Sequence, residues 1–538
     1  MPRWTSGPRR TAVIMLAGAG VLILGTNSLV HADTATGLTA NNTATCVAGS
    51  ATSPTDCVAA FAGQRDTATG IETPLFDGPG GNVSTVNIHS LLTTGATKVY
   101  ANVMPGFCPT PDSSSTASVP RCNSNVIPEY TENNVATVDA QLRDMAQRGI
   151  DGASIDWYGP SSGPFNPDAV SLKFQSEIQN QGLCAGGAQK CQVMYMIMFD
   201  GASLKFADDP THVNGSSSAA CSLGLADTAA EDCIVARLKN DICYMNGLHF
   251  GNNAYQKFNG RPVVQFFVDE GEYPGLRTSG AAPSWPDVWV QLGSFSADLK
   301  DNCASPDNIG AAHPYNVNNG VPLLTFEGSN GFTQEASGGA FGWVMPSGNQ
   351  DDLEITSSGN SRSIQEFYQA AANNPNGVPW GIAYKGFNDS QSAWGSGRLL
   401  DERCGTTWIN SMHEANAFYS GTHSLPFLQI ATWNDYNEGT SIEDGIDNCF
   451  TVTASVTGST LNWQLHPSSS AASTTTIAGF QVYDSTDGGT TYQPFGGLQP
   501  AGAASIGLTG LPAGSTKLIV KMVGQPEILN RAAGPVDF

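Results

Sequence analysis

The chain has little charge, and most of what it has is negative. Charged residues make up 13% of its 538 residues, with 24 Lys and Arg against 47 Asp and Glu, which gives a formal net charge of −23. Nucleic acids and anionic membrane surfaces attract basic proteins and repel a chain this acidic. We therefore expect neither as a partner.

The sequence also lacks the local patterns of metal and nucleotide sites. It has no C-x-x-C pair, no H-E-x-x-H, no Walker sequence and no G-x-G-x-x-G after a strand, and its eight His are scattered. Glu443, Asp444 and Asp447 offer oxygen ligands, but their spacing fits no calcium loop, so we expect a solvated turn there. No metal and no cofactor is predicted.

Long apolar runs are missing after the N-terminus. Arg3, Arg9 and Arg10 precede a short apolar run over 11–25, and residues 30–32 (VHA) offer a small-residue cleavage site. We predict a cleaved signal peptide over 1–32, with an uncleaved anchor as the alternative, and no membrane span after its removal. Residues 33–59 are aperiodic and polar and are predicted to be a low-complexity lead-in.

Twelve cysteines in an exported chain predict disulfides rather than metal sites. Proximity in sequence suggests four pairs, each of which would close a loop. These pairs are Cys46–Cys57, Cys108–Cys122, Cys184–Cys191 and Cys221–Cys233. Cys449 is a candidate for tying a linker to the preceding domain. We expect a secreted, extracellular protein that is a monomer.

Strand and helix patterns alternate from about residue 98 to residue 433. Val138, Leu142 and Met145 recur at helical spacing before Gly149, between two apolar strand segments. The predicted strands are 98–104, 150–157, 192–199, 262–268, 321–326, 341–344, 381–387 and 425–433. Eight strands alternating with helices predict a (β/α)8 TIM barrel over 60–450, with an open doubly wound sheet as the alternative.

The composition changes after Phe450. Short alternating segments around Trp463 and Tyr483, split by turn signals such as Asp487-Gly488-Gly489, contain no helical pattern. We predict a small fibronectin-III-like β-sandwich over 451–538. Its expected role is structural or that of a weak polysaccharide anchor.

Residues 428–444 (LQIATWNDYNEGTSIED) carry two carboxylates where the last predicted strand ends. Side chains three apart on a strand point to opposite faces, so Asp435 and Glu438 can share a cavity only if the strand stops near Asp435. Paired carboxyls beside the aromatic Trp433 are suited to acid/base work on a glycosidic bond. The alternative is a solvated acidic loop.

The same residues carry a resemblance. WNDYNEGT at Trp433–Thr440 resembles the late-strand motif of glycoside hydrolase families 71 and 99, the α-1,3-glucanases and the endo-α-1,2-mannosidase-type enzymes. VYANVMPGF near Tyr100, RGIDGASIDWYGP around Asp156, MYMIMFD ending at Asp200 and AYQKFNGRPVV near Tyr255 also resemble that group. TFEG around Glu327 and GAFGW ending at Trp343 look closer to family 71. The likeness spans roughly residues 60–445.

The resemblance implies a secreted hydrolase of α-linked polysaccharide that needs no cofactor, with its catalytic carboxylates at Asp435 and Glu438. Family 99 normally has Glu at the first position, and the Asp here favours α-1,3-glucan over α-mannan. We expect Glu438 to be the general acid and Asp435 the base that orients water. Carboxyl groups about 6.5–9.5 Å apart predict inversion, and about 5–5.5 Å predicts a covalent intermediate.

Other side chains at strand ends are candidates for binding sugar. The acids are expected to bind hydroxyl groups and the aromatics to stack on ring faces. The alternative for each acid is a structural cap or ion pair, and for each aromatic a place in the core. These candidates are Asp156, Trp157, Tyr158, Asp200, Asp269, Glu327, Trp343, Trp433 and Tyr436.

Two other functions compete with a glycosidase. One is a non-catalytic, cell-surface glycan-binding protein on the same barrel. The other is an esterase through Ser161 of the G-x-S-x-G match at 159–163, but Pro164 and Pro167 indicate a loop where a nucleophile elbow needs a helix.

Overall fold

A computed structural model describes residues 83–105, 135–159, 167–184, 189–205, 227–273, 276–304, 317–345, 363–391, 395–489, 491–514 and 516–538. The predicted signal peptide, lead-in and Ser161 lie outside these residues. Eight parallel strands form the first domain. They are β1 Lys98–Val103, β2 Gly152–Trp157, β3 Met194–Asp200, β4 Arg261–Phe267, β5 Leu323–Glu327, β6 Gly339–Phe341, β7 Val378–Ala383 and β8 Phe427–Ile430.

The eight strands close into a barrel. Their order around it is β3-β2-β1-β8-β7-β6-β5-β4, and β3 pairs with β4 in register from Ile197 opposite Val264 to Asp200 opposite Phe267. The sheet therefore has no open edge between its first and last strands, and the predicted (β/α)8 barrel is confirmed over the open alternative.

Helices connect most of the strands on the outside of the barrel. They are α1 Val135–Arg148, α2 Pro167–Asn180, α3 Asp227–Leu248, α4 Trp285–Ser296, α5 Leu299–Asn302, α6 Ser363–Asn373 and α7 Thr406–Phe418. The predicted apolar stripe of α1, Val138, Leu142 and Met145, is fully buried against the strands. Between β5 and β6 a 3-10 helix, Ser329–Thr333, takes the place of an α-helix.

Shorter elements complete the domain. A two-residue strand, Lys257–Phe258, pairs antiparallel with β4, and Phe387–Asn388 pairs with Leu399–Leu400. Further 3-10 helices are Ile88–Leu91, Gly201–Lys205, Glu270–Glu272, Asp389–Gln391 and Arg403–Gly405.

Three strand predictions were wrong by three residues or more at one end. The strand predicted over 381–387 is β7, Val378–Ala383. The last barrel strand ends at Ile430 instead of continuing to Trp433, and β6 ends at Phe341, where the predicted strand begins. The regular pairing ends because Thr432 N donates to the carbonyl of Thr440 at 3.2 Å, within the following loop. Asp435 therefore lies on a loop and not at the end of a strand.

The barrel interior contains a layer of polar side chains. The hydroxyl of Ser154 donates to Oε1 of Gln265 at 2.8 Å, and Nε2 of Gln265 donates to Oε1 of Gln429 at 2.5 Å. These side chains come from β2, β4 and β8 and are fully buried. Because side chains alternate along a strand, they show which residues point inward.

Three disulfides are described. The predicted pair Cys184–Cys191 is confirmed, and Cys243–Cys303 joins two cysteines for which no pair was predicted. Cys449 bonds to Cys404 beside α7, which confirms that it ties the linker to the barrel. The other three predicted pairs include residues outside the described part of the chain. Among the described helices, none is long and apolar enough to cross a membrane.

The C-terminal domain has two antiparallel sheets. Its strands are β9 Phe450–Thr457, β10 Thr460–Pro467, β11 Ile477–Ser485, β12 Gln493–Pro500, β13 Ser505–Gly507, β14 Lys517–Gly524 and β15 Arg531–Asp537, with a 3-10 helix at Thr474–Thr476. The sheet orders are β9-β10-β13 and β12-β11-β14-β15. Trp463 packs on Phe480 in the core between them. This three-plus-four arrangement is consistent with the predicted fibronectin-III-like sandwich.

Candidate active site

The loop that follows β8, residues 431–445, is closed by hydrogen bonds around Asp435. Thr432 N donates to the carbonyl of Thr440 at 3.2 Å, and the hydroxyls of these two threonines are 2.9 Å apart. The Thr432 hydroxyl also accepts from Asp435 N at 2.8 Å, and Thr440 N donates to the Asp435 carbonyl at 3.1 Å. We call residues 431–445 the catalytic loop, after the role proposed below.

Asp435 organises the turn that contains both predicted catalytic residues. Its Oδ1 accepts from the backbone N–H groups of Asn437 at 2.9 Å and Glu438 at 3.0 Å, and the residue is only 4% exposed. A short polar side chain that bonds to backbone two and three residues ahead fixes both the turn and its own direction. The two carboxyl-bearing residues are therefore held in one tight turn.

Glu438 lies on the more open side of this turn and is half-buried. Its carbonyl accepts from Asn388 N at 2.6 Å, which ties the turn to the segment after β7. Gly439 has a φ of 62°, a left-handed conformation that glycine adopts without strain. Gly439 thus lets the chain turn back toward Thr440 directly after the carboxylate.

The opposite side of the catalytic loop is fixed to the end of β1. Oδ1 of Asn434 accepts from Met104 N at 2.8 Å, and Nδ2 of Asn434 donates to the Met104 carbonyl at 3.2 Å. The backbone bond from Trp433 to Asn102 precedes this pair. The loop is therefore held by its neighbours on both sides, β1 and the segment after β7.

Several of the predicted sugar-binding acids follow the inward face of the barrel to the same rim. Asp156 is opposite Met198, whose sulfur contacts the inward-pointing Asn102 at 3.5 Å, and Asp200 is two residues further along β3. Glu327 is two residues beyond Thr325, which is opposite the inward Gln265. Asp200 and Glu327 are half-buried, whereas Asp156 is fully buried and lies out of reach of a ligand in this structure.

Glu327 is in an unusual electrostatic environment. Burial raises its pKa to about 7, and the negative charges of Asp269 and Asp200 add to this rise. Asp269 is exposed and caps the 3-10 helix Glu270–Glu272 by accepting from Gly271 N at 3.0 Å. The acids at the carboxyl ends of β3, β4 and β5 therefore interact electrostatically, as expected for residues that share one rim.

Trp157 does not lie in the site. It follows Asp156 directly, so strand alternation points it outward, where its Nε1 donates to Oδ1 of Asp168 on α2 at 3.0 Å. Asp168 also binds His249 at 3.0 Å and the Tyr244 hydroxyl at 2.5 Å. The predicted stacking of Trp157 on a sugar is wrong because the ring is fully buried between barrel and helices.

Trp433 is likewise a core residue. It is fully buried, with the guanidinium of Arg148 at 5.1 Å from its ring centroid. Its predicted role as an aromatic platform is wrong for the same reason, since no face of the ring is open to a ligand. Trp433 is two residues before Asp435 in the sequence, but its side chain packs against Arg148 at the end of α1.

The remaining aromatic candidates are slightly exposed. Trp343 is 8% exposed and contacts the half-buried Phe267, at 5.1 Å between ring centroids, on the inward side of the rim. Tyr158 is 7% exposed and Tyr436 is 6% exposed. Their binding roles remain predictions. Trp343 is two residues beyond Phe341, which is opposite Glu327 in the barrel register.

The solvated turn predicted for Glu443 is wrong. Glu443 is fully buried, and its Oε2 accepts from the Tyr436 hydroxyl at 2.8 Å while Oε1 accepts from Nε2 of Gln141 at 3.3 Å. Sequence reasoning missed this burial because Gln141 is 302 positions away and because only the fold of the loop brings the Tyr436 hydroxyl to Glu443. Within the described residues, no group of three or more His, Cys, Asp or Glu side chains is arranged to hold a metal ion.

No family model and no curated protein matches this sequence. Among solved structures, the chain is similar to the family 99 endo-α-mannosidase of Bacteroides thetaiotaomicron, at 13% identity over 65% of this chain and 86% of that one, with a TM-score of 0.39. A glycoside hydrolase-like protein matches at 13% identity over 65% and 88%, with a TM-score of 0.40.

A third likeness is to the β-glucuronidase of Parabacteroides merdae, at 7% identity over 82% of this chain and 49% of that one, with a TM-score of 0.33. Similarity at this level adds nothing about individual residues.

Proposed function

We propose that this protein is a secreted glycoside hydrolase that cleaves an α-linked polysaccharide with Asp435 and Glu438. The observation that carries the proposal is the turn in which Oδ1 of Asp435 accepts from Asn437 N and Glu438 N. It holds two carboxylates three residues apart at the carboxyl-terminal rim of a (β/α)8 barrel, the face at which such barrels carry their active sites.

The two carboxylates lie in different environments, and this difference is the basis of the roles that we propose for them. Asp435 is buried, and two N–H donors fix the direction of its carboxylate and stabilise its negative charge, which suits a base that orients water. Glu438 is more exposed, and its proposed role is to protonate the leaving glycosidic oxygen of a bound polysaccharide. Asp200 and Glu327 are then the sugar-binding acids of the facing rim.

The favoured substrate is α-1,3-glucan, with α-mannan second. The support for this order is the Asp at position 435, as in family 71, where family 99 normally has Glu. Three disulfides and the predicted signal peptide support secretion, because disulfides persist in oxidising compartments.

The test is release of reducing ends from α-1,3-glucan, α-mannan and related polymers by the full chain. Glu438→Gln and Asp435→Asn are expected to lower kcat by about 10²- to 10⁴-fold, the usual contribution of one general acid or base. Glu366→Gln, on the exposed side of α6, is the matched control and should retain activity within about twofold.

Undiminished hydrolysis by Glu438→Gln would remove the assignment. Binding to a polymer without release of reducing ends from any would favour a non-catalytic glycan-binding protein instead. The anomer first released decides the stereochemistry, since the starting α-anomer appears first only if the reaction retains configuration.

A further inference from the structure

We propose that the C-terminal domain positions the catalytic loop through one buried ion pair, Glu527 with Arg148. This inference rests on the function proposed above. It assigns Glu527 and Arg148 as positioning residues for the reaction, because both act behind Trp433 and Glu443 on the side of the loop away from the rim.

The segment of the sandwich that reaches the barrel is the connection between β14 and β15, residues 525–530. Its backbone bonds to the end of the catalytic loop region, where Ile446 N donates to the Glu527 carbonyl at 2.8 Å and Leu529 N donates to the Ile446 carbonyl at 2.9 Å. Nε1 of Trp408 on α7 donates to the Pro526 carbonyl at 2.9 Å. The connection is thus built into the barrel domain as an added strand-like segment.

Within this segment, Glu527 places a charge inside the protein. Its Oε2 is 2.6 Å from Nη1 of Arg148, the last residue of α1, and both side chains are fully buried. Buried ion pairs add little stability compared with apolar side chains of similar size. Such a pair instead fixes the orientation of the arginine side chain, because a carboxylate holds the plane of a guanidinium through charge-assisted hydrogen bonds.

The oriented side chain of Arg148 contacts the catalytic loop. Its Nη2 donates to the Glu443 carbonyl at 3.0 Å, and its guanidinium lies 5.1 Å from the centroid of the Trp433 ring. Glu443 N in turn donates to the Trp433 carbonyl at 2.9 Å. Arg148 therefore contacts both ends of the loop segment that contains Asp435 and Glu438.

The side chain of Glu443 completes the connection. It accepts from the hydroxyl of Tyr436, the residue directly after Asp435. A continuous set of buried contacts therefore runs from the sandwich through Glu527, Arg148 and Glu443 to the turn with the two carboxylates. A displacement of about 1 Å in such a turn is enough to lower kcat by on the order of 100-fold.

The experiment compares three variants of the full chain by hydrogen exchange of residues 431–445 and by kcat and KM. Glu527→Gln removes the carboxylate whose Oε2 is 2.6 Å from Arg148. Arg148→Met with Glu527→Met removes both charges of the pair together, which costs less stability than leaving one of them buried alone. The control is Asp447→Asn, which removes the charge of the partly exposed pair Arg531–Asp447 at the same junction.

Both test variants are expected to exchange faster over residues 431–445 and to lose about 10- to 100-fold in kcat, with KM changed by less than about threefold. Asp447→Asn should match the wild type in both measurements. If the folded double variant keeps wild-type exchange and kcat, the pair contributes only to stability and the inference is overturned.

The exchange measurement separates this inference from the proposed function. If the wild type hydrolyses no polymer, the proposed function fails, and exchange of residues 431–445 in the double variant still decides whether the sandwich orders that loop. Unchanged exchange overturns the inference in that case too.

Discussion

Glu327 is expected to reduce the stability of the folded protein at neutral and alkaline pH. Burial beside Asp269 and Asp200 raises its pKa from an ordinary value of 4.5 to about 7. At about 1.4 kcal/mol per tenfold change in proton affinity, this difference corresponds to roughly 3 kcal/mol. Because the side chain is partly exposed, that figure is an upper value.

The direction with pH follows from proton binding. Between about pH 4.5 and 7 the folded protein keeps the Glu327 proton that the unfolded chain has released, so the free energy of unfolding falls as pH rises through this window. Glu327→Gln removes the carboxylate. The variant should therefore be more stable than the wild type by up to roughly 3 kcal/mol at pH 8, with the difference vanishing near pH 4.5.

Urea denaturation of both proteins at pH 4.5, 6 and 8 measures this difference. The matched control is Glu335→Gln, an exposed residue in the same β5–β6 connection, for which we expect a change within about 0.5 kcal/mol at each pH. A stability difference for Glu327→Gln that does not depend on pH would refute the reasoning. Hydrolysis should fall in the same variant, because the carboxylate is a proposed ligand of the sugar.

Two further predictions concern stability away from the catalytic turn. Asp168→Asn weakens the bonds to Trp157, His249 and Tyr244. Thermal or urea unfolding should show that the free energy of unfolding falls by about 3 kcal/mol. Unchanged stability would mean that these contacts do not hold α2 and α3 against the barrel. Replacing Cys404 and Cys449 by Ser removes a cross-link with a sequence separation of 45, which should lower the free energy of unfolding by roughly 4 kcal/mol. A loss below about 1 kcal/mol would contradict this prediction.

The alternating strand and helix pattern was sufficient to predict the barrel, because apolar strand segments and amphipathic helices are local features of the sequence. Asp156 and Trp157 show where the same reasoning was applied too loosely. They are adjacent on β2, so they cannot both point to the barrel interior. Strand alternation alone would have moved Trp157 to the helix layer, where Asp168 binds it.

Other features depend on contacts that no local pattern contains. The turn at Asp435 forms because the side chains of Thr432 and Asp435 bond to backbone groups that follow them in the sequence. The sequence alone does not show that β8 ends at Ile430. The pair Arg148–Glu527 joins residues 379 positions apart in two domains. Predicting it would have required the packing of the sandwich against α1.

The polar layer inside the barrel, Ser154, Gln265 and Gln429, has a consequence for how the sheet assembles. A shift of one residue between neighbouring strands would turn these side chains to the outer face and leave buried amides without partners, at about 1–3 kcal/mol for each lost bond. Apolar side chains in the same places would pack almost equally well in neighbouring registers. The buried polar side chains therefore favour a single register of β2, β4 and β8. This register determines which residues lie at the rim above them.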